Sequence, residues 1–124
     1  MIKISNICFK LGGKKEKNSI IEKKFNLTKN SLTKLTGVKE RFISKSNENS
    51  GTLAIKVCKK LKKNQINKLT HLISVTNTPF IKFPGISNYI AAFLKIEKVH
   101  CINLNAGCTG FVDALILSYE IIKN

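Results

Sequence analysis

The residues best suited to chemistry lie in one short run, INLNAGCTGF, residues 102–111. An apolar, β-prone stretch leads into small residues at Asn105, Ala106 and Gly107, and Cys108 follows at the mouth of an apolar segment. That order predicts a strand, a sharp turn and a helix, with a thiol at the helix amino terminus. A helix start presents unpaired N–H groups and a partial positive charge, which stabilise a thiolate. Gly107 and Gly110 leave room for a carbonyl to approach the backbone, and the N–H of Cys108 is placed to donate to a developing oxyanion. The chemistry this favours is nucleophilic acyl transfer through Cys108, on a turn that exposes the nucleophile at the carboxyl edge of a sheet. The competing reading is an inert, buried cysteine, a common fate for the residue.

The elements that must hold this run can be read outward from it. Residues 98–104 are a strand, and the segment from about Cys108 to Ile122 is a helix, apolar on nearly every side and expected to be buried on nearly every side. Upstream, residues 69–76 are a strand ending at Asn77-Thr78-Pro79, and Pro84-Gly85 opens a helix over Ile86–Leu94. Leu53, Ala54, Val57, Cys58 and Leu61 recur at helical spacing behind Asn49 and Ser50 as caps, with lysines on the other face. Residues 2–9, IKISNICF, are apolar and β-prone before Gly12-Gly13 and read as a first strand. A short helix is expected around Ile20–Phe25 and a turn at Thr36-Gly37, the intervening stretches being polar and basic. Strands alternating with helices predict an α/β chain with parallel pairing.

Composition excludes more than it assigns. The 124 residues carry a net charge of +15, but Arg41 is the only arginine. Phosphate and base recognition draws on the arginine fork, so the charge reads as a solvated lysine surface rather than a nucleic-acid site. The four cysteines, Cys8, Cys58, Cys101 and Cys108, include no C-x-x-C pair, and His71 and His100 complete no zinc pattern. No metal and no cofactor is expected. The leader has no signal-peptide character and no apolar run reaches membrane length, so a reducing cytoplasm is the expected setting.

The segment INLNAGCTGF resembles the active-site signature of the β-ketoacyl-acyl-carrier-protein synthase III family, in which the cysteine is acylated. Three further segments match that family in the same order: TGVKERFIS (36–44), ENSGTLAIKVCKKL (48–61) and SVTNTPFIKFPGISNYIAAFLKI (74–96). The resemblance runs from Ile2 to Lys123. It implies a thiolase-like fold, a dimer, and acyl-coenzyme A or acyl carrier protein thioesters as partners, with Cys108 accepting the acyl group. Phe83 matches the family phenylalanine that reaches into the partner subunit's acyl pocket; an ordinary core aromatic is the alternative. The family's catalytic histidine and asparagine match nothing here, so His71 and His100 read as structural and Asn105 as a turn former. Ser31 and Leu35 stand where family members that use acetyl-coenzyme A often carry a tryptophan and an arginine. The chain therefore reads as the incomplete amino-terminal half of a thiolase-like fold, residues 1–124, truncated after the nucleophile helix. Full condensation would need a carboxyl-terminal half, and the expectation is a truncated or split reading frame near Lys123-Asn124, with the second half, where present, encoded separately. Two other readings stay open: a non-catalytic remnant, and a basic module that binds acyl carrier protein or nucleic acid.

Overall fold

A computed structural model describes residues 1–124. The backbone divides into two compact units, one formed by Leu11–Glu48 and the other by Met1–Lys10 with Asn49–Asn124. No helix is long and apolar enough to cross a membrane.

The smaller unit contains β1 (Lys14–Lys17), α1 (Asn18–Lys24), α2 (Ser31–Thr36) and β2 (Glu40–Ile43). β1 and β2 pair antiparallel, from Lys14 opposite Ile43 to Lys17 opposite Glu40. Gly12 lies just ahead of this ladder, where a Cβ would come within 2.7 Å of the Ile43 carbonyl, so only glycine lets the two backbones approach. Two buried polar side chains organise the unit. The Glu22 carboxylate accepts from the N–H of Asn30 at 3.0 Å and of Leu32 at 3.1 Å, satisfying donors at the start of α2. Asn18 donates to Thr33 Oγ1 at 2.9 Å and accepts from the Arg41 guanidinium at 2.9 Å. The sole arginine is thus spent on an internal contact. α2 stops at Gly37, whose φ of 71° is the left-handed conformation that the Thr36-Gly37 turn calls for.

The larger unit runs α3 (Ser50–Cys58), α4 (Lys63–Ile66), β3 (His71–Val75), α5 (Ile86–Leu94), β4 (His100–Leu104), a 3-10 turn (Gly107–Thr109) and α6 (Gly110–Lys123). β3 and β4 are parallel and in register, His71 opposite His100 and Val75 opposite Leu104, with α5 as the crossover. α3 begins at a reciprocal cap. Asn49 accepts from the Thr52 N–H at 2.9 Å, and the Thr52 hydroxyl accepts from the Asn49 N–H at 2.9 Å. The core is Ile55, Ile86 and Ile90, with Ala54, Cys58, Leu72, Ile81, Tyr89 and Leu94 packed around it. It is these side chains that lock α3 and α5 onto β3, each buried isoleucine contributing roughly 1.5–3 kcal/mol.

Three expectations from the sequence are corrected. Residues 2–9 form no strand; Ile4, Ile7 and Phe9 are 69%, 84% and 70% exposed. Their β-prone residues gain nothing without a partner, since β3 and β4 bond only to each other. The segment is tied instead at its end, where Lys60 Nζ donates to the Phe9 carbonyl at 2.9 Å. Parallel pairing holds for β3 and β4 alone, because β1 and β2 run antiparallel. α6 is not buried on nearly every side, for Phe111, Val112, Ile116 and Ile122 are 55–69% exposed. A layer only two strands wide spans about 5 Å between strand axes and covers one stripe of a helix, leaving the other apolar stripe in solvent.

Candidate active site

Both strands of the parallel pair end at the same edge, and the residues that follow them build the site. Beyond β3 the chain continues through Thr76 and Asn77. Beyond β4 it continues through Asn105 and Ala106 into the 3-10 turn that carries Cys108. The N–H of Thr76 donates to the Leu104 carbonyl at 3.1 Å, extending the ladder by one rung. Asn77 Oδ1 then accepts from the Gly107 N–H at 3.2 Å, so the residue before the cysteine is held from the neighbouring strand.

Cys108 is exposed, and the turn that bears it runs straight into α6. Gly107 has a φ of 57°, with open space where a Cβ would stand. Gly110, by contrast, is buried against β3, and a Cβ there would lie 2.7 Å from Val75 Cγ1. One glycine therefore gives the turn its backbone conformation, and the other seats α6 against the sheet. Thr109 Oγ1 lies 3.0 Å from the Ala106 carbonyl and 2.8 Å from Asp113 Oδ2, closing the turn on its far side. The site is a thiol presented at the carboxyl edge of a parallel sheet, clamped by Asn77 and Val75.

The remaining thiols have different settings. All four cysteines are free, and Cys8, Cys58 and Cys101 are each half-buried. Burial pushes the Cys58 thiol above its ordinary value, with the neighbouring Cys8 adding to the effect and a backbone hydrogen bond opposing it. Cys58 is therefore a poor nucleophile beside an exposed thiol.

His71 and His100 occupy the first positions of β3 and β4, ring centroids 5.4 Å apart. A five-residue strand is about 13 Å from first to last Cα, so these imidazoles stand at the opposite edge from the Cys108 turn. Neither is within reach of the thiol as a base. No three His, Cys, Asp or Glu side chains come together as a metal site. Ser31 and Leu35 both lie in α2 of the smaller unit, Leu35 being 84% exposed.

Phe83 is 89% exposed and precedes a cis peptide bond to Pro84. It is not a core aromatic, whatever else it does. The corner it belongs to is bonded to β4 through the side chain of Asn103. Asn77 and Asn103 are site-forming residues that the sequence pattern alone does not single out. Asn103 had a signal, a lone amide inside the apolar strand VHCINL; Asn77 had only its place in a turn.

No protein-family profile matches the chain. Among curated proteins, it is 38% identical over 92 residues to the β-ketoacyl-[acyl-carrier-protein] synthase III of Clostridium novyi, covering 72% of this chain and 28% of that protein. The Blochmanniella floridana protein of the same name is 33% identical over 110 residues, covering 86% of this chain and 35% of its own length. Among solved structures, 3-oxoacyl-[acyl-carrier-protein] synthase III of Aquifex aeolicus superposes with a TM-score of 0.80 at 28% identity, over 94% of this chain and 38% of that one. The Thermus thermophilus synthase III gives a TM-score of 0.84 at 24% identity over 94% of this chain and 37% of that one, a likeness of fold alone. The chain spans about a third of the length of the curated relatives it matches.

Proposed function

Because the chain belongs to the β-ketoacyl-[acyl-carrier-protein] synthase III family, as an amino-terminal portion of its thiolase-like α/β fold, we propose that it carries the acyl-accepting half of a condensing enzyme. Cys108 is its nucleophile. The observation that carries this reading is the exposed Cys108 on a turn at the carboxyl edge of the parallel sheet, running directly into α6. In the reaction, Cys108 Sγ bonds to the carbonyl carbon of an acyl thioester. The carbon–sulfur bond of the donor breaks, and the leaving thiolate takes up a proton equivalent to the one Cys108 has lost. The backbone N–H of Cys108 is the donor for the transient oxyanion, the Gly107 N–H being held by Asn77, and the open face at Gly107 gives the carbonyl its approach.

The donor is an acyl-coenzyme A or an acyl carrier protein thioester. Ser31 and Leu35 lack the flat and cationic surfaces that would grip an adenine, which favours a carrier-protein donor. Phe83 projects from its corner with 89% of its surface free and is the residue that shapes an acyl site, on a partner subunit. The condensing step is assigned to a second half, since both histidines of this chain stand at the far edge of the sheet. On this reading the completed enzyme is a homodimer of a reducing cytoplasm, and the chain alone stops at the acylated thiol.

Intact-mass analysis after incubation with acyl thioesters of both kinds tests the proposal. The expected result is one acyl adduct that a Cys108→Ala variant lacks. An adduct that persists in Cys108→Ala, or none with either donor while iodoacetamide still alkylates Cys108, would sink it.

A further inference from the structure

Asn103 is the polar residue of β4 whose side chain divides its whole hydrogen-bonding capacity between β3 and the corner that opens α5. Its Oδ1 accepts from the Ser74 hydroxyl at 2.8 Å and from the Ser87 N–H at 2.9 Å. Its Nδ2 lies 3.3 Å from the Pro84 carbonyl and 3.2 Å from Asn88 Oδ1, donating to both. A carboxamide offers two acceptor sites and two N–H donors, and all four are engaged. The orientation of the amide follows from its backbone partners, since an N–H at Ser87 requires the oxygen and a carbonyl at Pro84 requires the nitrogen. Gly85 lies flush against this amide with a φ of 110°, and any Cβ there would collide with the Asn103 side chain. Ser87, next on the same corner, is fully buried.

These contacts join three things: the carboxyl end of β4, the carboxyl half of β3, and the Phe83-Pro84-Gly85 corner that opens α5. Cys108 lies five positions beyond Asn103 along the chain, so the same strand end carries the thiol and anchors the exposed phenylalanine. We infer that Asn103 is a positioning residue, fixing the Phe83 corner to β4 and thereby setting, across the homodimer, which acyl chains reach Cys108 of the partner subunit. The inference rests on the reading of Cys108 as an acyl acceptor and Phe83 as a shaping residue. Asn103 touches neither substrate nor thiol; it acts through the corner.

Two variants of the full chain separate this role from general stability. Asn103→Leu keeps the bulk and loses all four bonds. Asn103→Asp keeps the acceptors for Ser74 and Ser87; it sets a non-donating oxygen against the Pro84 carbonyl, and an Asn88 amide turned to donate to it gives up its long contact from Ser87 Oγ. Amide exchange at Ser87 should rise about fivefold in the leucine variant and return close to the parent rate in the aspartate variant. The preference of Cys108 among short and long acyl thioesters should shift in the leucine variant and be restored by aspartate. Iodoacetamide, too small to sense Phe83, should alkylate Cys108 at one rate in all three proteins. A leucine variant with unchanged Ser87 exchange or unchanged acyl preference overturns the inference. So does one whose iodoacetamide rate moves as much as its acylation. If the parent chain takes up no acyl group, the acyl-transfer reading fails and the Asn103 clamp is judged on Ser87 exchange alone.

Discussion

Gly110→Ala tests whether the cysteine turn is seated by Val75. A methyl group at residue 110 would stand 2.7 Å from Val75 Cγ1, where ordinary carbon contacts begin near 3.4 Å. Either the valine leaves its rotamer or α6 lifts by a few tenths of an ångström to about 1 Å. Val75 is 36% exposed and has somewhere to turn, which holds the cost near the low end of the roughly 1–3 kcal/mol of overpacking. Alanine returns less than the ~1 kcal/mol it gains inside a helix, because residue 110 is the first of α6. The net expectation is a loss of about 1 kcal/mol. In a Val75→Ala background the obstructing methyl is absent, so the same change should be neutral or mildly stabilising, giving a coupling of about 1–2 kcal/mol across the cycle. Urea denaturation of the four proteins measures it, and iodoacetamide kinetics report whether the thiol shifts when α6 lifts. An equal cost of Gly110→Ala in both backgrounds would show that Val75 is not the reason for the glycine.

Other outcomes follow from single contacts. Asn77→Ala removes the acceptor for the Gly107 N–H and should cost about 1 kcal/mol while changing the iodoacetamide rate at Cys108 severalfold; Asn77→Asp should keep both close to the parent values. Glu22→Ala strips an acceptor from two part-buried N–H groups and should destabilise the chain by roughly 2 kcal/mol, with Glu22→Gln retaining part of that, as thermal denaturation would record. Burial raises the Cys58 thiol, so its thiolate appears only at higher pH than an ordinary thiol's. Mass mapping of alkylated peptides near pH 8 should therefore find Cys108 modified well before Cys58, and an equal or reversed order contradicts the assignment.

Helices α1, α3, α5 and α6 and the parallel pair were legible because their determinants are local, whereas the short α2 and α4 carry no such apolar repeat. Asn49 caps α3 three residues ahead of Thr52, Ile86 and Ile90 are one turn apart in α5, and β3 and β4 are short apolar runs between turns. β1 was not legible: Lys-Lys-Glu-Lys has no strand preference of its own and is extended by its pairing with Glu40–Ile43. Residues 2–9 failed in the opposite sense, having β-forming residues but no ladder to join. For α6 the pattern itself was read correctly, and its burial was not, because burial depends on what lies opposite. Cys108 was found from its neighbours in sequence. Asn77 and Asn103 were not singled out, since their partners lie 30 residues away and between 15 and 29 residues away.

Those two asparagines explain why the site sits where it does. A parallel pair sends both chains out at its carboxyl edge, where backbone N–H and carbonyl groups no longer find ladder partners. Asn77 supplies an acceptor across that edge to the turn after β4, and Asn103 supplies acceptors and donors across it to the corner after β3. Each strand end thus holds the loop that belongs to the other. Cys108 and Phe83, the two exposed side chains on which the proposed function rests, are set by reciprocal amide contacts rather than by the core. The core isoleucines, Ile55, Ile86 and Ile90, fix only the sheet beneath them. Substitutions among those isoleucines should therefore lower stability with little change in acyl preference. Substitutions at Asn77 or Asn103 should shift acyl preference out of proportion to the stability they cost, and an acyl preference that tracks melting temperature across both groups would refute the division.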